Sequence, residues 1–313
     1  MSNHRLPWVE DHPVAAFFVG AYLYTWLITA PAVFMPPSWT AAILVYIGSF
    51  GPPVSAAAVT WLRGDDLRKW ARQITHWRVG WHWWVVALAL PIVAAIGITV
   101  GIFAVEGPVD LAQGLPSPLV FTGVFFFALI LSGGLNEEPG WRGFAQARLN
   151  EHYGAFRASI VIGIVWAGWH LPYFFAPVTP QSGFPLVNQL GWFGGILMLS
   201  VILAWVYNST SSVLIVIVLH AMANTADMLI PLVPDEILVD GIINERAVGT
   251  VTAVHLVVYT LIALAVVAYY GREKLATGSI PTASTVGGTD GMGTDTHRPG
   301  DKNHEHEPQE HKE

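Results

Sequence analysis

The sequence predicts an all-α polytopic membrane protein: a bundle of about eight transmembrane helices followed by a disordered C-terminal tail. Three observations carry this. Of 313 residues, 53% are hydrophobic and only 12% are charged, where soluble domains carry about 25% charged residues. The mean hydropathy is +0.49, and 14 Trp and 9 Tyr suit a chain with many lipid–water boundaries. The apolar pattern then stops near residue 277, and Thr277–Glu313, rich in Gly, Thr, Asp, Glu and His, has too little apolar surface to fold.

A helix needs about 20 mostly apolar residues to cross a bilayer. By that rule the spans are 14–35, 40–62, 83–105, 118–138, 156–171, 189–207, 211–231 and 249–270. The fifth is short and stops at Pro172, and Asn208–Ser212 reads as a tight turn between the sixth and seventh. Lys and Arg accumulate on the cytoplasmic side of membrane proteins. With both termini cytoplasmic, every one of the 15 basic residues except Arg246 falls on that side. The first apolar run is too long, and its flanks wrong, for a cleavable signal peptide.

Between spans two and three, Leu67, Trp70, Ala71, Ile74 and Trp77 recur at helical spacing among Arg68, Lys69, Arg72 and Gln73. This suits an amphipathic helix at the membrane surface, with a solvated loop as the alternative. Gly97-x3-Gly101 and Gly191-x3-Gly195 allow close helix approach within the chain. Zero Cys excludes disulfides, iron–sulfur clusters and thiol catalysis. No basic excess points to nucleic acid. The tail residues His297, His304, His306 and His311 read as solvated, with weak metal binding as the alternative.

Ionisable groups at membrane depth are costly, so those inside spans mark function. Four groups of strongly polar residues stand out in or beside the spans: Glu137, Glu138 and Arg142; His170, four residues after Trp166; His220 and Asn224; and His255, without a polar companion in its span and so read as structural. Glu138 and Arg142, and likewise His220 and Asn224, are four apart and share a helix face. Glu137 and Glu138 stand about 100° apart on one helix. Glu138–Arg142 is therefore expected as a supporting ion pair, with Glu137 facing a cavity. The reverse assignment stays open because Pro139 and Gly140 can distort the helix.

A carboxylate, two imidazoles and an amide around water make a hydrolytic site. Glu137 can act as general base, His170 can orient the water, and His220 with Asn224 can stabilise an oxyanion. If a metal is bound, Glu137, His170 and His220 are a plausible Zn2+ ligand set with an open fourth position. The residues alone do not separate these routes. A serine route is not offered, for no Gly-x-Ser-x-Gly elbow occurs. A proton-coupled transporter uses the same residue types.

Glu137-Glu138-x3-Arg142, Trp166-x3-His170 and His220-x3-Asn224 resemble, in order, the three motifs of the CPBP family of CAAX prenyl proteases and bacteriocin-processing enzymes. The second motif often has Phe where this chain has Trp166. The resemblance covers about residues 118–230. It implies an eight-helix intramembrane endopeptidase over 1–276, with its site open to the cytosol and Glu137, Glu138, Arg142, His170, His220 and Asn224 in the catalytic machinery. Both metalloprotease and metal-independent glutamate mechanisms have been described for the family, so the metal stays open. The expected partners are a peptide or lipidated-peptide substrate and membrane lipid. A non-catalytic peptide-binding or bacteriocin immunity protein is the main alternative.

Overall fold

A computed structural model describes residues 6–107, 116–229 and 249–286, with the backbone alone of 238–239, 242–243 and 245–248. The tail histidines lie outside the described residues. Each expected span has its helix. They are α1 (Pro13–Val33), α2 (Trp39–Gly48) continued by α3 (Gly51–Arg63), α5 (Trp81–Glu106), α6 (Pro118–Leu131), α7 (Ala155–Trp169), α8 (Leu186–Thr210), α9 (Val213–Ala226) and α10 (Glu245–Tyr270). The surface helix α4 is Leu67–Arg72. One small ribbon, Leu238–Val239 with Ile242–Ile243, interrupts the all-α fold. The chain is thus a multi-pass membrane protein.

Five segments are long and apolar enough to cross a membrane: 13–33, 39–63, 81–106, 186–210 and 249–270. The other three, α6, α7 and α9, are shorter, and they carry or adjoin the polar motifs. They are short because they stop inside the bundle. Each interior helix end exposes carbonyls that lipid cannot satisfy, so the protein must. At the end of α7, Tyr22 donates to the Val165 carbonyl at 2.6 Å, His170 Nδ1 lies 2.8 Å from that of Trp166, and Trp26 donates to that of Trp169 at 3.1 Å. Pro52 and Pro53 interrupt the second span because they have no N–H to donate. The Gly48 carbonyl freed there accepts from Thr25 Oγ1 at 2.7 Å, and that hydroxyl accepts from Trp169 Nε1 at 2.8 Å.

The fourth span corrects the sequence expectation. A single helix through 138 was expected, but α6 ends at Leu131. Residues 132–137 form an irregular turn, with Gly133 at φ 104°, a conformation that favours glycine. Its Asn136 side chain accepts from Gly133 N at 2.8 Å and donates to Ser49 Oγ at 2.9 Å, tying this break to the one in span two. A motif helix follows: Glu138–Gly140, a π turn Trp141–Gln146, then Ala147–Tyr153. π turns often accompany functional sites. The helix is buried from Glu138 to Asn150. Gly140 faces Pro52 so closely that a Cβ would lie 2.6 Å from its backbone.

The small-residue stripes serve packing within the chain, as expected. A Cβ on Gly101 would meet Val254 at 2.6 Å, and one on Gly191 would meet Thr252 at 2.5 Å. These glycines let α5 and α8 lie against α10.

One end of the bundle is basic. There α4 lies across the motif helix, with Trp70 donating to the Pro139 carbonyl at 3.2 Å and Gln73 to that of Gly143 at 3.1 Å. The α4 helix is shorter than the periodicity implied, and in the 3-10 turn after it Gln73, a polar residue, faces inward. Arg148 and Asp65 pair at 3.1 Å, and Ala155 N donates to the Glu273 carbonyl at 2.8 Å. Residues 277–286 also pack here. Val286 is buried, and Asn150 donates to the Pro281 carbonyl at 3.3 Å. Composition alone placed the tail boundary too early, because it does not register a few buried residues and backbone bonds.

Candidate active site

Four segments bring the polar motifs together: the turn 132–137, the motif helix, the end of α7 and the middle of α9. Glu137 caps the motif helix, with φ −130° and ψ −52°. This backbone kink separates it from Glu138. Its Oε2 accepts from Trp166 Nε1 at 2.5 Å, and the residue lines an internal cavity of about 830 Å³.

Glu138 points the other way and is fully buried. Arg142 Nη1 donates to its two oxygens at 3.0 and 3.2 Å, and His220 Nδ1 approaches Oε1 at 2.6 Å. Arg142 is itself anchored by Ser200 Oγ at 2.9 Å, which donates onward to the Ser159 carbonyl at 2.8 Å. The guanidinium also lies 5.0 Å from the centre of the Trp166 ring. The expected split, Glu137 to the cavity and Glu138 to Arg142, matches these positions, though through a kink rather than a regular helix. Glu138 additionally fixes the ring of His220, a contact that spacing along one helix cannot reveal.

The His170 Nδ1 contact is to a carbonyl, which can only accept, so Nδ1 carries the proton and Nε2 is left with a lone pair. Rings surround it: Trp169, Trp192 and Tyr173, with centroids at 4.7, 4.9 and 5.5 Å. His220 meets the edge of Trp166 at 5.2 Å. Asn224 Nδ2 donates to the Ser132 carbonyl at 2.7 Å and is exposed in the cavity. A Cβ on Gly133 would lie 2.5 Å from both His220 Nε2 and Asn224 Nδ2, so the turn presses directly on these two groups.

All six sequence-predicted residues thus belong to one assembly. Glu137, His170, His220 and Asn224 line the cavity, and Glu138 and Arg142 lie behind it. Asn136 and Ser200 were missed, and Trp166, singled out only as a motif residue beside His170, was not expected to bond Glu137. A tryptophan reads as packing and a lone serine as helix glue, and only the fold reveals their bonds to Glu137, Ser49 and Arg142. Tyr173 was missed too; its hydroxyl has no hydrogen-bond partner among the described residues and the residue lines the cavity. His255 is not solitary. It lies 3.1 Å from Asp227, just beyond α9, and both line the cavity.

The conditional metal set does not fit this arrangement. Among the described residues, no three His, Asp or Glu side chains gather closely enough to hold a metal ion. The Trp166 indole occupies the space beside both imidazoles and its N–H engages Glu137.

This assembly of an acid, two imidazoles and an amide from the fourth, fifth and seventh apolar segments is where likeness to known proteins falls. Residues 119–226 match the family described as type II CAAX prenyl endopeptidase Rce1-like. All three motifs lie inside the match, and the CPBP resemblance is borne out. The chain is also 32% identical over 136 residues to CAAX prenyl protease 2 of Methanococcus maripaludis. That alignment covers 39% of this chain and 49% of the relative, so the chain spans about half the length of the curated relative it matches. The matched segment contains the motif helix and the two histidine motifs. It excludes the preceding residues, among which Thr25, Ser49 and Trp70 hold that segment in place.

Proposed function

We propose that this chain is an intramembrane endopeptidase that hydrolyses a peptide bond in the 830 Å³ cavity. The observation that carries the reading is the convergence of Glu137, His170, His220 and Asn224 on its wall. In this mechanism water lies between Glu137 and His170 Nε2, whose lone pair accepts one of its hydrogens and orients it. Glu137 takes the other proton as oxygen attacks the scissile carbonyl. Negative charge develops on the carbonyl oxygen. The second hydrogen of the Asn224 amide, not used on Ser132, serves that oxyanion. So does Nε2–H of His220 when its ring is protonated, with Nδ1–H held by Glu138. Glu137 then returns its proton to the leaving amine.

Glu138 and Arg142 act by position. A carboxylate engaged by Arg142 orients the His220 ring, and the guanidinium lies behind Trp166. No step in this scheme runs through a metal. The substrate is a membrane-associated peptide. The name of the archaeal relative suggests a prenylated C-terminal segment as one candidate class.

Glu137→Gln keeps the shape and removes the base. Purified in detergent, it is expected to lose cleavage of a quenched prenyl-peptide while still binding it. Retained cleavage by Glu137→Gln refutes the assigned base. Binding without cleavage by the unaltered protein instead supports the non-catalytic peptide-binding alternative.

A further inference from the structure

The cavity has a side. Its wall is drawn from Ala42–Ser49 in α2 and the residue after it, Gly191–Leu199 in α8, Ala223–Asp227 at the end of α9, Val251–Tyr259 in α10 and the loop 178–184. In these helices they are the turns farther from the basic end; α6 adds Phe127 and Leu131 at its mid-bundle end. Toward that end the site is shut. Glu138 and Arg142 are fully buried, and the motif helix is buried through Asn150. Trp70 of α4 and Gln73 just after it lie over it, and Tyr207 donates to Gln73 at 2.7 Å. Toward the other end, the Asp227 side chain in the cavity wall is 59% exposed, while the Glu138 and Arg142 side chains are 0% exposed.

Charge fixes which end faces the cytoplasm. The segments joining helices at the cavity end, 34–38, 107–117, 170–185 and 227–248, contain a single basic residue, Arg246. The opposite end carries Arg63, Arg68, Lys69, Arg72 and Arg78 in one short connection, with Arg148, Arg157, Arg272 and Lys274 beside it. Short loops of this kind are the ones whose Lys and Arg set orientation. The resemblance implies a cytosolic mouth, and the charge distribution implies a cytosolic basic end. In this bundle the two are at opposite ends.

We infer that the cavity opens on the non-cytoplasmic face, and that its substrate class is a peptide segment presented from that side, such as one already translocated or anchored in the outer leaflet. A lipidated C-terminus in the cytoplasm would meet the closed end. This substrate assignment rests on the endopeptidase reading; the orientation does not.

The chain has no cysteine, so single cysteines report its topology directly. Ser182→Cys in the loop at the mouth, Asp227→Cys in the cavity wall and Arg68→Cys on α4 are to be treated with a membrane-impermeant maleimide on intact cells. Ser182→Cys and Asp227→Cys are expected to label on intact cells, and Arg68→Cys only after permeabilisation. The reverse pattern overturns the orientation, and with it the substrate class, while leaving the peptidase reading intact. In a second arm, a quenched peptide is added to sealed right-side-out and inside-out vesicles containing the unaltered protein. Cleavage in right-side-out vesicles alone supports the substrate class, and cleavage in inside-out vesicles alone overturns it. Cleavage in neither preparation, nor after detergent, removes the peptidase reading and its substrate assignment, while the labels still report the orientation.

Discussion

The Arg142–Glu138 pair permits a quantitative test of how the site is held. Both side chains are fully buried, with Nη1 at 3.0 Å from Oε2. Arg142→Met keeps most of the side-chain bulk but leaves Glu138 facing only His220, at 2.6 Å. It also takes from Ser200 Oγ its donor at 2.9 Å, leaving that hydroxyl its bond to the Ser159 carbonyl alone. Removing one partner of a buried ion pair costs about 3–5 kcal/mol, because the survivor's charge is left uncompensated. Glu138→Met strands Arg142 in the same way, at about the same cost. In the double variant no charge is stranded, and replacing a whole buried pair by apolar groups is often near neutral. Reversible unfolding in mixed micelles, by titration with SDS, is expected to find the double variant more stable than either single one. The coupling should be at least about 2 kcal/mol. Peptide cleavage should not recover alongside stability, because His220 has then lost the carboxylate that orients it. Additive stability losses, or a double variant with restored cleavage, would refute the assignment of this pair as a support acting through His220.

Trp166→Phe retains the ring beside both imidazoles and removes the only hydrogen bond the described residues give to the Glu137 carboxylate, at 2.5 Å. Charge-assisted bonds are worth about 1.5–3 kcal/mol, so kcat/KM should fall by about 10- to 100-fold while the fold survives. Gly133→Ala puts a Cβ 2.5 Å from both His220 Nε2 and Asn224 Nδ2 at φ 104°. A displacement of about 1 Å at such groups can cost about 100-fold in rate, so cleavage should drop further than the unfolding midpoint suggests. Truncation after residue 276 removes buried Val286 and the Asn150 bond to the Pro281 carbonyl, and should cost about 2–3 kcal/mol in SDS unfolding relative to truncation after 286.

The spans were legible because lipid enforces them: a run such as 81–106 admits no other reading at its length and hydropathy. The site residues were legible for the complementary reason, that each is too polar for its surroundings without a partner. The partners were harder to read. Helical spacing identified Glu138–Arg142 because four residues make a local contact. It could not reach His220, 82 positions away, or Ser200, 58 positions away. The break at 132–137 was missed although Ser132, Gly133 and Gly134 stand in it. Apolar residues on both sides made the run look continuous, and hydropathy does not register a glycine at positive φ. His255 was read as solitary because companions were sought along its own span, while its acidic neighbour Asp227 stands near the end of the seventh span, 28 positions away.

That break also resolves a conflict of depth. On a continuous fourth span, Glu137 would stand near the basic end, while His170 lies at the far end of α7 and His220 midway along α9. They would meet only if that span were tilted or ran on beyond the core. Ending α6 at Leu131 stops it in mid-bundle and puts Glu137 at the level of His220, and the motif helix then covers the remaining distance as buried protein rather than as a loop. Irregular backbone at such a depth is tolerated only where protein or a wet cavity surrounds it. Here Asn136 and Ser49 satisfy one side of the turn, and Asn224 takes the Ser132 carbonyl on the other. Asn224 therefore closes the helix break with one amide hydrogen and keeps the other for an oxyanion. The cavity is the condition under which the chain can break there at all.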